Sequence, residues 1–272
     1  MKGPAVVNLK ALVLGGVILA TLGLMPAAAR AQSAGSLDSG WSFEFTPYLW
    51  GAAMSGEVAG GSLPAINVDM SFSDIVDNLD AGLMGAFEAR NGRWGLLFDA
   101  IYMKLAHSGS ASRTGAGPIG ATATASAELE MAQSMFAAGV AYRAIEGRSP
   151  VDVIGGVRYA KIEADARIDG SFFAQTGSVA LSAEKSWWDP YVGVRVQHPI
   201  AERWTLVGYA DVGGFGVGSD FTWQTAAGIS YEFSKTFAGK FGYRYMSVDY
   251  DKDGFRYDMA NSGLYLGVGI RF

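Results

Sequence analysis

The sequence predicts an all-β protein: a transmembrane, antiparallel up-and-down β-barrel, most simply of ten strands, with eight or twelve as the alternatives. Three observations carry that expectation. Only 17% of the 272 residues are charged, 37 are glycine and none is cysteine, whereas an average soluble domain is roughly 25% charged. From Trp41 to Phe272 apolar residues alternate with small or polar ones at a period of two, the repeat of a strand with two unlike faces. The segments between these runs alternate long and short, as in a barrel with tight turns on one side of a membrane and larger loops on the other.

The chain opens with Lys2 and Lys10, continues through an apolar run at 11–25 and reaches Ala29-Arg30-Ala31. A basic start, an apolar stretch and an A-x-A site read as a secretory signal peptide, 1–31, cleaved after Ala31. The apolar run of 15 residues is short of the roughly 20 that a spanning helix needs. Residues 32–40 are then a short periplasmic segment and 41–272 the barrel. Loss of Lys2, Lys10 and Arg30 moves the formal charge from −5 to about −8. A mildly acidic chain without clustered Lys and Arg is a poor partner for nucleic acid. Export without cysteine suits a closed barrel, rigid through a ladder that has no edges.

Taken in order, 41–53 puts Trp41, Phe43, Phe45 and Leu49 on one parity against Ser42, Glu44 and Thr46. Residues 81–90 oppose Leu83 and Phe87 to Glu88 and Arg90, and after the turn at 91–93 the run 94–107 opposes Trp94, Leu96, Phe98 and Tyr102 to Asp99. The run 129–143 sets Phe136, Val140 and Tyr142 against Gly139, Ala141 and Arg143; 151–168 sets Val151, Val153, Val157 and Tyr159 against Asp152, Gly156 and Arg158. In 186–199, Trp188, Val192, Val194 and Val196 face away from Asp189, Tyr191, Arg195 and Gln197. Pro190 lacks the N–H that a central strand needs, which places it near the outer rim or at a bulge. Runs 204–213, with Tyr209 and Asp211 on the polar side, 222–233, with Glu232, and 237–249, with Lys240 and Arg244, precede the final strand.

The connections are 54–80, 91–93, 108–128, 144–150, 169–185, 200–203, 214–221, 234–236 and 250–259. An even count of strands leaves both chain ends on the side of the short turns. Trp94, Trp204, Phe233 and Phe237 stand beside short turns, while Trp50, Trp188 and Trp223 stand near long loops, the positions of two interfacial girdles.

The signal peptide, the strands of about ten residues and the ending Tyr265-x-Gly267-x-Gly269-x-Arg271-Phe272 resemble the small bacterial outer-membrane β-barrel proteins, a group that includes porin-like and opacity-type surface proteins. The resemblance spans 41–272 and implies the bacterial outer membrane as location, with outer-membrane lipid and the barrel assembly machinery as partners. It also implies that Leu266, Val268, Ile270 and Phe272 act as the assembly signal. Its motifs are architectural and transfer no active site and no cofactor.

Strand parity assigns the interior a set of both charges: Glu44, Glu88, Arg90, Asp99, Arg143, Asp152, Arg158, Asp189, Arg195, Tyr209, Asp211, Glu232, Lys240, Arg244 and Arg271. A narrow barrel lined this way is a salt-bridged structural wall or a narrow pore for a small solute, with little ion selectivity because the charge is mixed. The competing class is a membrane-embedded enzyme acting on lipid or peptide. It has two histidines to use. His107 is eight residues from Asp99 on the same strand, roughly 26 Å, and His198 precedes Pro199 at a short turn, so no Ser/His/Asp constellation is legible. Asp249, Asp251 and Asp253 followed by Gly254 match the first half of a calcium loop, but Ala260 stands where its bidentate Glu belongs, which leaves at most a weak metal site. Residues 54–80 are too long for a featureless loop. A helix over 73–79 capped by Ser73 is expected there, folded back as a plug or lid over the lumen.

Overall fold

The computed structural model describes residues 40–60, 65–114, 122–172 and 175–272; the signal peptide and most of the segment at 32–40 lie outside them. The described chain forms β1 (Trp41–Gly60), β2 (Ile66–Met70), α1 (Phe72–Asn78), β3 (Leu79–Asn91), β4 (Trp94–Thr114), β5 (Thr122–Ile145), β6 (Val151–Phe172), β7 (Gln175–Ala201), β8 (Trp204–Gly213), β9 (Phe221–Glu232), β10 (Phe237–Lys252) and β11 (Phe255–Arg271). All pairings are antiparallel. The order β11-β10-β9-β8-β7-β6-β5-β4-β3-β1 is closed by β11 on β1, a ring of ten strands, with β2 attached to the upper part of β1. The last strand closes the ring from Glu44 opposite Arg271 to Gly60 opposite Phe255. Phe43 and Phe272 exchange backbone hydrogen bonds of 3.2 and 3.1 Å.

The apolar parity of each strand faces outward. Leu83 is 76% and Leu49 71% exposed, an apolar belt of a size that only lipid covers stably. Short strands set the height of that belt: β8 has 10 residues and β9 has 12, enough at a normal strand tilt for a band of roughly 25 Å.

Several segments expected to be loops are strand. The expected loop 108–128 is mostly β4 and β5, 169–185 is mostly β6 and β7, and 250–259 shrinks to a hairpin turn at Asp253 and Gly254, both with positive φ. The Ser, Thr, Ala and Gly of the first two and the Asp, Lys and Arg of the third read as loop because they carry little hydrophobic signal. The ladder nevertheless continues rung by rung from Trp94 opposite Tyr142 to Thr114 opposite Thr122, since backbone pairing needs no particular side chain. β4 to β7, 21 to 27 residues long, therefore rise well beyond the belt. Pro190 sits one residue past the last rung that β7 shares with β8, Tyr191 opposite Gly213, and its carbonyl accepts from Gly214 at 3.0 Å. Its missing N–H points to the same side, where β8 has ended.

Where it is described, the segment at 54–80 joins the wall as β1, β2 and α1 instead of folding back as a separate lid, and it plugs only through side chains, sending Met54, Met70 and Ile75 into the apolar cluster of the upper interior. β2 continues the wall by pairing Met70 with Met54 and Ile66 with Val58. α1 begins one residue earlier than expected and is capped by Ser71 rather than Ser73: Asp74 N donates to Ser71 Oγ at 3.3 Å, and Ser71 N to Asp74 Oδ2 at 2.9 Å, a reciprocal capping box. The β1 and β3 ladder stops at Pro47 opposite Gly85, and α1 fills the seam above it. Ile75 is buried inward, Phe72 packs over Gly51, and the Trp50 amide donates to Met84 Sδ at 3.3 Å in place of a ladder carbonyl.

Candidate functional site

The interior is divided by height into a polar chamber near the short turns and an apolar stopper above it. The chamber encloses about 450 Å³ between residues such as Glu44, Glu88, Asp99, Tyr191, Lys240 and Tyr265. It shares Glu44, Glu88 and Arg271 with a mouth beside Arg143, Lys235 and Phe272 at the short-turn end.

Four ionic groups line the chamber. Glu88 accepts from Arg90 at 3.0 Å and Arg195 at 2.8 Å, and Asp152 accepts from Arg90 at 2.8 Å, Arg143 at 2.9 Å and Arg195 at 2.8 Å. Across the mouth, Glu44 pairs with Lys240 and with Arg271 at 2.8 Å, and Arg271 continues to Glu232 at 2.6 Å. Higher up, Asp99 accepts from Tyr48 at 2.8 Å and Arg244 at 3.3 Å; Arg244 also donates to Gln224 at 2.6 Å and lies 4.8 Å from the centre of the Trp50 ring. The fourth group is Asp211, bonded to Arg158 at 2.8 Å and Tyr209 at 2.6 Å, with Arg158 stacked 5.0 Å over Tyr191. Charges taken out of water need this density of partners, because each carries a desolvation cost that only several good contacts offset. The parity-assigned residues thus face inward and meet one another, except Asp189. Asp189 is buried but holds the β8–β9 connection, accepting from Ser219 N at 2.6 Å, Ser219 Oγ at 2.7 Å and Trp187 at 3.1 Å.

Above Trp50 the interior turns apolar. β4 to β7 face β10, β11, β1 and β2 across a cluster that contains Trp50, Trp187, Tyr250, Tyr257 and all eight methionines of the described residues: Met54, Met70, Met84, Met103, Met131, Met135, Met246 and Met259. Tyr257 and Met259 have no exposed surface. Gln133 on β5 reaches Tyr257 on β11 at 3.4 Å, and Trp187 on β7 stacks on Tyr250 on β10 at 4.4 Å, so opposite walls touch. A polar lining was expected for the whole interior. Instead the upper half is a dry core, and Trp50, expected in the outer girdle, belongs to it, its Nε1 donating to Gly263 O at 3.3 Å. The signal was present: Trp50 and the strand methionines of the ring stand on the inward parity of their strands. The alternation reverses its sense there, with polar Ser55, Lys104, Ser134, Ser247 and Asp258 beside the inward methionines, so a single inside-polar rule carried along each strand misassigns them.

The side chain of His107 lies outside the described residues, and the other sequence candidates stand apart from one another. Ser149 Oγ lies 2.6 Å from His198 Nδ1 at an exposed turn. Asp249 and Asp251 lie on extended β10, where alternate residues stand roughly 7 Å apart, too far to converge as in a calcium loop. Asp253 is in the turn and pairs with Lys185 at 2.8 Å, which holds its carboxyl below the ordinary range. Among the described residues no grouping of His, Cys, Asp and Glu is arranged to hold a metal.

No protein-family model and no curated protein matches the sequence. Among solved structures, the outer membrane protease OmpT of Escherichia coli superposes with a TM-score of 0.53 at 11% identity, covering 85% of this chain and 96% of that one. The translocator domain of the autotransporter NalP from Neisseria meningitidis gives 0.38 at 15% identity, covering 86% and 89%. The attachment invasion locus protein Ail of Yersinia pestis gives 0.30 at 14%, covering 86% and 99%. The fold is that of the bacterial outer-membrane β-barrels.

Proposed function

We propose that this chain is an outer-membrane barrel with a structural or surface role, which does not conduct in its resting state. The observation that carries the reading is the apolar stopper: a water-accessible chamber rises from the short-turn mouth and ends beneath packed Met, Trp and Tyr side chains. An ion entering that region would lose its hydration without gaining polar partners. The strands continuing beyond the lipid belt give the surface role its physical basis, since they hold a rigid, partly charged sheet away from the membrane. Lys104 bridges Asp80 and Glu130 on that sheet, and Lys161 bridges Glu163 and Glu184.

An enzyme acting on lipid or peptide has less support, because the Ser149 and His198 pair lies at a turn and no carboxylate is bonded to that histidine among the described residues. The bacterial outer membrane as location, cleavage after Ala31 and recognition of the final strand by the assembly machinery belong to the same reading. Purified protein in planar bilayers tests its core. Silence is expected, and reproducible conductance steps from the untreated protein overturn it.

A further inference from the structure

The eight methionines are confined to the stopper. Leucine fills a dry core as well, and thioethers differ from it mainly in being flexible and oxidisable. Met70, Met84 and Met131 are only partly buried, which makes them the first thioethers of the stopper that an oxidant meets. Met84 Sδ already accepts the Trp50 amide at the seam filled by α1, where the wall lacks a ladder. The water-accessible chamber lies directly below, on the other side of Trp50 and Arg244.

We infer that the methionine stopper is an oxidation-controlled gate: converting its thioethers to sulfoxides opens a path between the chamber and the outer side. This rests on the closed-barrel reading and extends it to regulation. The oxidant class is a peroxide. The sulfur lone pair attacks one peroxide oxygen, an S–O bond forms as the O–O bond breaks, and the second oxygen leaves as water after proton transfer. Sulfur is oxidised by two electrons and peroxide is reduced by two. A sulfoxide oxygen is a strong acceptor with a large dipole, and the stopper has few donors to offer it: the Trp50 indole is committed to Gly263, the Gln133 amide is shared between Tyr257 and Met135 Sδ, and the buried Asn261 amide, cross-strand from Met54 and Met246, is the one left over. Eight sulfoxides outnumber these two amides, so water supplies the other donors, and its entry from the chamber wets the constriction. Opening begins at the partly buried sulfurs and proceeds inward.

The test records single-channel current from the protein in planar bilayers before and after hydrogen peroxide. Intact mass counts the oxygens added, and an unheated gel checks that the barrel is still folded. A parallel sample carries norleucine in place of methionine. Silence before treatment, steps after it, their loss on treatment with methionine sulfoxide reductases, and silence of the norleucine protein throughout are expected. Oxidised, folded protein that stays silent overturns the gate, as does a norleucine protein that opens equally. Opening that coincides with loss of the folded band also overturns it, because that is unfolding. Steps before any peroxide sink the closed-barrel reading instead, so the two failures are distinct.

Discussion

The lower and upper halves of the interior are built by the same strands, yet they are filled by opposite means. Below, Arg195 joins Asp152 on the neighbouring strand and Glu88 across the lumen, and every such group needs its partners to be tolerable away from bulk water. Above, Met54, Met246 and Met259 are almost wholly buried in apolar contact, and each atom contributes through dispersion and exclusion of water. The difference teaches where specificity resides. An ionic network accepts only complementary partners at fixed geometry, whereas a methionine core accepts most apolar side chains of similar volume.

That contrast predicts unequal responses to substitution. The largest effect is expected from Arg158→Ala, which leaves the buried Asp211 carboxylate without its bonded cation and should cost about 3–5 kcal/mol, read as a lowered urea midpoint in lipid or detergent. An unchanged midpoint would mean that the chamber is wet enough to screen the pair. Met259→Ala, which leaves a cavity in the dry half, should cost about 2–5 kcal/mol in the same assay. Met259→Leu should cost less than about 1.5 kcal/mol, and a loss as large as that of the alanine variant would show that the stopper is a rigid fit. At the mouth, Lys240→Met should have a smaller effect than Arg158→Ala, because Glu44 keeps Arg271 at 2.8 Å.

The smallest effect belongs to the Arg93 and Glu146 pair, joined at 2.6 Å on an exposed turn. Arg93 holds the Glu146 carboxyl below its ordinary range. A carboxylate with a depressed folded pKa contributes its stability above its unfolded pKa and loses it as pH falls through the folded one. Solvent screens this pair on both sides, so Arg93→Ala should leave the midpoint unchanged at neutral pH. Any difference from the parent protein should shrink further on acidification, and one that grows would count against the assignment.

The lipid face and the ionic groups were legible because each has a local signature: Leu264, Leu266 and Val268 alternate strictly, and Arg158 or Asp152 stands out between apolar neighbours. The upper half was not. Thr124 to Ala127 looks like loop by composition, yet it pairs with β4 and β6. Met103 stands between Tyr102 and Lys104 and Met135 between Ser134 and Phe136, so the inward parity, polar lower in the same strands, turns apolar there without a clean local signature. Ser71 and Ser73 are equally plausible caps by type, and the choice rests on which residue leaves the helical backbone first.

By itself, the sequence determined that the chain is a closed antiparallel barrel with one apolar face toward lipid, because a period of two and the placement of turns are local properties. Only the tertiary structure decided that an eleventh strand and a helix stand at one seam of the ten-stranded ring, that Glu88 meets Arg195 across the lumen, and that the upper interior is shut. Those outcomes depend on which strands stand opposite one another after closure, and that register brings together residues far apart in the chain, Gln133 with Tyr257 and Glu44 with Lys240.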